Sequence, residues 1–187
     1  DNLSEHDSTF MRLALDMAEM ARVLEEVPVG AVLVFEGQVI ATGYNRTRLT
    51  LDPTAHAEII ALREGARALG NYRLLGTTLY STIEPCPMCA GALVWARVER
   101  LVYGAADERA GAAGSVFQLC ASPLLNHRIA ISGGVLADEC RAIMQEFFRH
   151  GVDMLRQPLD HPGAGCLGGA PKLLGDLNHP DMASLGR

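Results

Sequence analysis

Two short segments of the 187-residue chain carry side chains suited to chemistry: His56-Ala57-Glu58 and Pro85-Cys86-Pro87-Met88-Cys89. Cys86 and Cys89 are three positions apart, so on a helix they share one side of one turn. A helix N-terminus presents unpaired N–H groups and partial positive charge, which favours thiolate over thiol. Two thiolates and a neutral imidazole are a three-ligand set for zinc. A structural zinc site normally takes a fourth protein ligand, and no second Cys-x-x-Cys or paired His stands at a suitable spacing. The open position leaves room for water, whose pKa zinc lowers toward ~7. A dication with two thiolates is neutral overall and still able to hold hydroxide.

Glu58 stands two residues after His56. A carboxylate placed there, and not itself a ligand, can take a proton from water and return it to a leaving amine. The plain alternative is a first-turn helix acid that complements the dipole. For the cysteine pair the alternative is a structural or redox site. The two segments lie 30 positions apart, with room for a helix and a strand between them, and together they favour a catalytic zinc site.

Those residues need elements that bring them together. Phe10, Leu13, Ala14, Met17, Ala18, Ala21 and Leu24 recur at helical spacing, which predicts a helix over 8–25 capped by Ser8 or Thr9. Strands are expected over 29–35 and 38–44, turning at Glu36-Gly37, followed by a polar loop over 45–53. Helices are expected over 54–69, ended by Gly70, and over 85–97. Short strands over 77–83, 100–103 and 129–132 and a last helix over 136–149, stopped near Gly151, complete the pattern. This alternation implies an α/β fold, a mixed sheet with helices on its faces. From Gln157 onward Pro and Gly accumulate without a period. The chain therefore divides into a domain over 1–156 and a flexible tail over 157–187.

Composition narrows the function classes. Hydrophobic residues make up 49% and charged residues 20%, which excludes global disorder. No apolar run approaches the ~18 residues of a membrane span. The acidic N-terminus is no secretory signal, so a cytoplasmic protein without membrane contact is expected. The net charge of −6 argues against a sequence-blind nucleic-acid binder. Yet 7 acids and 2 bases fall in residues 1–28, whereas residues 29–110 hold 8 of each. Those bases are all Arg, whose guanidinium forks phosphate; Lys172 is the only lysine. Cys120 and Cys140 sit in apolar contexts and are expected to be buried, while Cys166 is incidental. Trp95, Tyr103 and one ring of Phe147-Phe148 are expected in the core, with Met11, Met17 and Met20 packing the first helix.

Beyond the paired motifs, a longer set of segments resembles the bacterial tRNA-specific adenosine deaminases, of the zinc-dependent cytidine and deoxycytidylate deaminase superfamily. It comprises residues 27–34, 52–59, 71–74, 84–86 and 88–92, then 111–115, 126–128, 136–140 and 147–149, and the likeness spans about residues 8–150. The resemblance implies a cytidine-deaminase-like three-layer fold, a five-stranded sheet between helices, assembled as a homodimer. It implies Zn2+ and hydrolytic conversion of the wobble adenosine of a tRNA anticodon stem-loop to inosine. By the same match Asn45 would contact the flipped nucleoside, and Asp107, Asn126 and Phe148 would lie near flanking nucleotides. The sequence departs from the family at Arg109, where Lys is frequent, and after Gly151, where a basic stretch is usual.

RNA affinity in a chain of net charge −6 would come from a local arginine surface drawn from Arg46, Arg48, Arg109, Arg128 and Arg149. His127 is either a loop hydrogen bonder or an RNA contact. Two other functions compete. The same zinc chemistry could act on a free base or nucleotide, such as cytosine, guanine or a pyrimidine precursor. A zinc-stabilised binding module without activity is the other, disfavoured by Glu58 and the missing fourth ligand.

Overall fold

The computed structural model describes residues 2–156; the segment expected to be a flexible tail, with Cys166, lies outside the described residues. Its elements follow the expected order. They are helix α1 (Asn2–Val23), strands β1 (Gly30–Phe35) and β2 (Gln38–Tyr44), a short α2 (Thr47–Thr50) and α3 (Ala57–Leu69). Then come β3 (Thr77–Ile83), α4 (Pro87–Ala96), β4 (Arg100–Ala105), β5 (Ala130–Gly133) and α5 (Ala137–Arg156).

The strands form one sheet in the order β2-β1-β3-β4-β5. β1 is antiparallel to both β2 and β3, while β3, β4 and β5 run parallel. The β1–β2 hairpin turns through Glu36 and Gly37, both at positive φ, the conformation that matches the twist of a two-residue loop. Period-two alternation then assigns the faces. Ala31, Leu33, Leu79 and Leu101 pack toward α3 and α4; Val32, Val34, Tyr80 and Val102 pack toward α1 and α5. The result is a three-layer α/β fold whose mixed five-stranded sheet is flanked by helices.

Glycine brings α3 close to the sheet. A Cβ at Gly43 would stand 2.1 Å from the Ala57 carbonyl oxygen, so only glycine lets the first turn of α3 lie on β2. That contact fixes the end of the helix that carries His56 and Glu58.

Several boundaries differ from expectation. α1 starts at Asn2, so Ser8 and Thr9 lie within it; the Thr9 hydroxyl donates to the Glu5 carbonyl one turn back at 3.0 Å. The polar 45–53 segment contains α2, whose Leu49 N–H and Thr47 hydroxyl donate to the buried carboxylate of Glu26. α3 and α4 begin two to three residues later than their patterns suggested, and α5 continues through Gly151 to Arg156. Cys120 and Cys140 are buried, and Tyr103 packs against the core. Trp95 and Met20, expected in the interior, are exposed.

Candidate metal and proton-transfer site

His56 and Cys86 occupy equivalent places. Each is the N-cap residue of a helix, α3 and α4, and Cys89 stands in the first turn of α4. Pro87 at the first helical position needs no partner for a missing N–H and sets φ for the helix. β3 runs in the direction that delivers Glu84-Pro85-Cys86 to its carboxyl end, where α/β sheets hold their ligands.

The ligand atoms of His56, Cys86 and Cys89 all lie within 4.8 Å of one another. Among the described residues no other group of three such side chains converges in this way. His56 Nδ1 is 3.7 Å from Cys86 Sγ and 3.5 Å from Cys89 Sγ. Zinc bonds of about 2.0–2.3 Å at tetrahedral angles would set such donors about 3.5–3.8 Å apart. The donor set, one borderline nitrogen and two soft sulfurs, also suits zinc.

Electrostatics agree with a cation. Hydrogen bonds from Cys89 and the His56 ring lower the Cys86 thiol to about 4, against its burial. Sharing that hydrogen, together with burial, pushes Cys89 up. A dication held there would favour the thiolate form of both cysteines. The Cys86 hydrogen bond raises the His56 pKa.

Glu58 is 2% exposed and lies in the first turn of α3. Its Oε2 is buried and has no hydrogen-bond partner among the described residues. Burial raises its pKa. A surface first-turn acid would be solvated, so the carboxylate needs another explanation.

The remaining candidates fall into separate places. Asn45 is buried beside this centre, its Oδ1 accepting the Ala57 N–H at 2.9 Å. Asp107 caps a turn by accepting the N–H groups of Arg109 and Ala110. Phe148 and Arg149 line a cavity of about 710 Å³ with Ile83, Ala105 and Ala106, at the carboxyl ends of β3 and β4. Asn126 accepts from Arg97 through its backbone and side-chain oxygens. Arg46 lies over the Tyr44 ring, 4.2 Å from its centroid, and Arg48 donates to the Glu25 carbonyl at 2.8 Å. Arg109 and Arg128 are exposed. His127 Nε2 lies 2.7 Å from the Val98 carbonyl oxygen, the geometry of a loop hydrogen bonder.

Glu84 went without a role on sequence grounds. It is 1% exposed and accepts the N–H groups of Asp107, Ala113 and Ser115 and the Ser115 hydroxyl. Burial alone would raise its pKa; these hydrogen bonds outweigh burial and hold it below the ordinary carboxylate range. Its partners lie 23 to 31 positions away, so no local pattern could reveal it.

The profile of the cytidine and deoxycytidylate deaminase zinc-binding region matches residues 4–105. The chain belongs to this deaminase family. A tRNA-specific adenosine deaminase of Haemophilus influenzae is 50% identical over 147 residues, 78% of this deaminase and 85% of its relative. That of Bacillus subtilis is 43% identical over 143 residues, 76% and 89% of the two chains. A solved tRNA:A34 deaminase structure, from work on A-to-I editing at the wobble position, superposes with a TM-score of 0.70 at 47% identity. It covers 72% of this deaminase and 98% of that chain. The Nitrosomonas europaea guanine deaminase shares the fold at a TM-score of 0.63 and 27% identity, over 75% and 83% of the two chains.

Proposed function

We propose that this deaminase converts adenosine to inosine at the wobble position of a tRNA anticodon, with zinc held by His56, Cys86 and Cys89. The observation that carries the chemistry is the partnerless, buried Glu58 oxygen two residues from the nitrogen donor of the trio. The substrate is supported by relatives of 42–50% identity named tRNA-specific adenosine deaminase.

Zinc held there supplies Lewis acidity that makes water a nucleophile near neutral pH. Glu58 takes a proton from the attacking water as the water oxygen bonds to C6 of the adenine and the C6=N1 electron pair moves to N1, which receives that proton. Glu58 then carries the remaining hydroxyl proton to the exocyclic nitrogen, and the C6–N6 bond breaks as C6=O forms, releasing ammonia. A carboxyl whose pKa is raised by burial suits both halves of this transfer. Asn45, whose oxygen accepts the Ala57 N–H, would offer its amide N–H groups to the base.

Asp107, Asn126 and Phe148 flank the target nucleotide, and Arg46, Arg48, Arg109, Arg128 and Arg149 meet phosphates. The placement of Phe148 and Arg149 on one cavity wall supports a base-and-phosphate contact there. The catalytic domain is residues 1–156, and 157–187 is dispensable for the reaction. A tRNA substrate places the enzyme in the cytoplasm, and among the described residues no helix is long and apolar enough to cross a membrane.

The deaminase acts as a homodimer through the outer face of α3 and α4. Trp95 is 74% and Tyr72 70% exposed there, and both line a groove of about 520 Å³ with Leu62, Met88 and Ala92. Aromatic side chains left in water on one apolar face mark an interface.

Ammonia release from an anticodon stem-loop RNA, compared with free adenosine, cytidine and guanine, tests this function. Release from the RNA alone is expected. Release from a free base, with the RNA inert, would assign a small-molecule deaminase instead.

A further inference from the structure

We propose that Glu84 is a positioning residue that locks the loop carrying Asp107, a proposed neighbour of the target nucleotide, to the cysteine turn. The inference rests on the deaminase reading of the site given above.

Two segments meet at this carboxylate. One is Glu84-Pro85-Cys86, which leads from β3 into α4. The other is the 106–115 loop that leaves β4. Glu84 accepts Asp107 N–H at 3.1 Å, Ala113 N–H at 2.9 Å and Ser115 N–H at 3.0 Å, as well as the Ser115 hydroxyl. Backbone bonds join the same segments: Glu84 N–H to the Ala105 carbonyl and Ala112 N–H to the Pro85 carbonyl, each 2.8 Å. Gly111 makes the approach possible, because a Cβ there would stand 2.4 Å from the Glu84 carboxyl carbon.

The chain on either side explains why this docking matters. Ala105 and Ala106 wall the cavity shared with Phe148 and Arg149, and Asp107 follows directly. Two residues beyond Glu84 stands Cys86. One buried carboxylate therefore keeps the Asp107 loop in register with a proposed metal ligand. Four donors converge on it, the number a carboxylate accepts when fully satisfied. Small displacements of a loop that meets the substrate misplace it while leaving the reacting groups intact.

Glu84→Gln is nearly isosteric but sets an NH2 group against donors. Amide exchange at Asp107, Ala113 and Ser115 should accelerate by roughly tenfold or more in this variant. KM for the anticodon stem-loop should rise by roughly tenfold, kcat should fall by less than about threefold, and zinc should stay near one per chain. Ser115→Ala, which removes one donor and keeps the carboxylate, should raise KM by about threefold and serves if the first variant does not fold. Unchanged exchange in the loop would overturn the proposal. So would faster exchange with KM unmoved and only kcat and zinc content reduced, the signature of a local brace for Cys86. If the wild type leaves RNA unaltered, the proposed function fails by itself. Loop exchange and KM on whichever nucleobase is turned over then decide the role of Glu84.

Discussion

The side-chain oxygen of Asn45 accepts the backbone N–H of Ala57, 2.9 Å away, between the proposed ligand His56 and the proposed proton carrier Glu58. One amide side chain thus ties the end of β2 to the first turn of α3. It also leaves a pair of N–H donors for something else.

Asn45→Asp separates those two jobs, since aspartate still accepts from Ala57 but donates nothing. It should keep its zinc and unfold within a few degrees of wild type while losing roughly 10²-fold in kcat/KM, a cost expected for a lost substrate hydrogen bond plus a misplaced charge. Asn45→Ala should lose stability as well. Equal activity in Asn45→Asp and wild type would confine Asn45 to capping α3.

Glu58→Gln should retain about one zinc per chain and lose roughly 10²–10⁴-fold in kcat, because the amide cannot carry a proton. Elemental analysis and single-turnover kinetics check both parts. Activity within a few-fold of wild type would make Glu58 a helix acid and nothing more.

The elements that hold this site were largely legible. β1 reads as an apolar, buried run and β3 as a run of β-formers, and Gly37 and Gly70 stand where the chain turns. The His56, Cys86 and Cys89 trio is suggested by spacing, but the placement of His56 and Cys86 at helix N-caps is not, because the patterns carry both helices two to three residues too far toward their N-termini. What escaped depends on partners far along the chain. Glu84 looks like one more acid until the loop beyond β4 folds over it. Trp95 looks like core because composition cannot tell a buried ring from an exposed one. The start of α1 was hidden because its first turns are polar and carry no apolar period.

Asp7 belongs to the same class. It is 6% exposed on α1, paired bidentately with Arg100 of β4 at 2.7 and 2.8 Å, and it accepts the Tyr80 hydroxyl at 2.8 Å. Burial raises its pKa, but hydrogen bonds from Arg100 and Tyr80 and the guanidinium charge lower it further, so the net shift is downward. A depressed carboxyl stabilises the fold above its unfolded pKa of about 3.9, and that contribution is lost as pH falls through the folded value. Asp7→Asn should therefore cost about 2–3 kcal/mol near pH 7, with the gap to wild type narrowing below about pH 4. Denaturant unfolding at several pH values checks it, and a gap that widens in acid would contradict the assignment.

Trp95→Glu should shift the protein from dimer to monomer in sedimentation, with little change in zinc content. A charge placed on an apolar interface opposes association through desolvation. A wild-type monomer, or a variant that remains dimeric, would remove the α3–α4 face as the interface.

The proposed substrate of this deaminase is one adenosine of a tRNA anticodon. Sequencing of full-length tRNA after incubation with the enzyme, reading inosine as guanosine, tests it most directly. The expected result is conversion at the wobble adenosine alone, abolished by Glu58→Gln. Unaltered tRNA in the presence of fully zinc-loaded enzyme would contradict it.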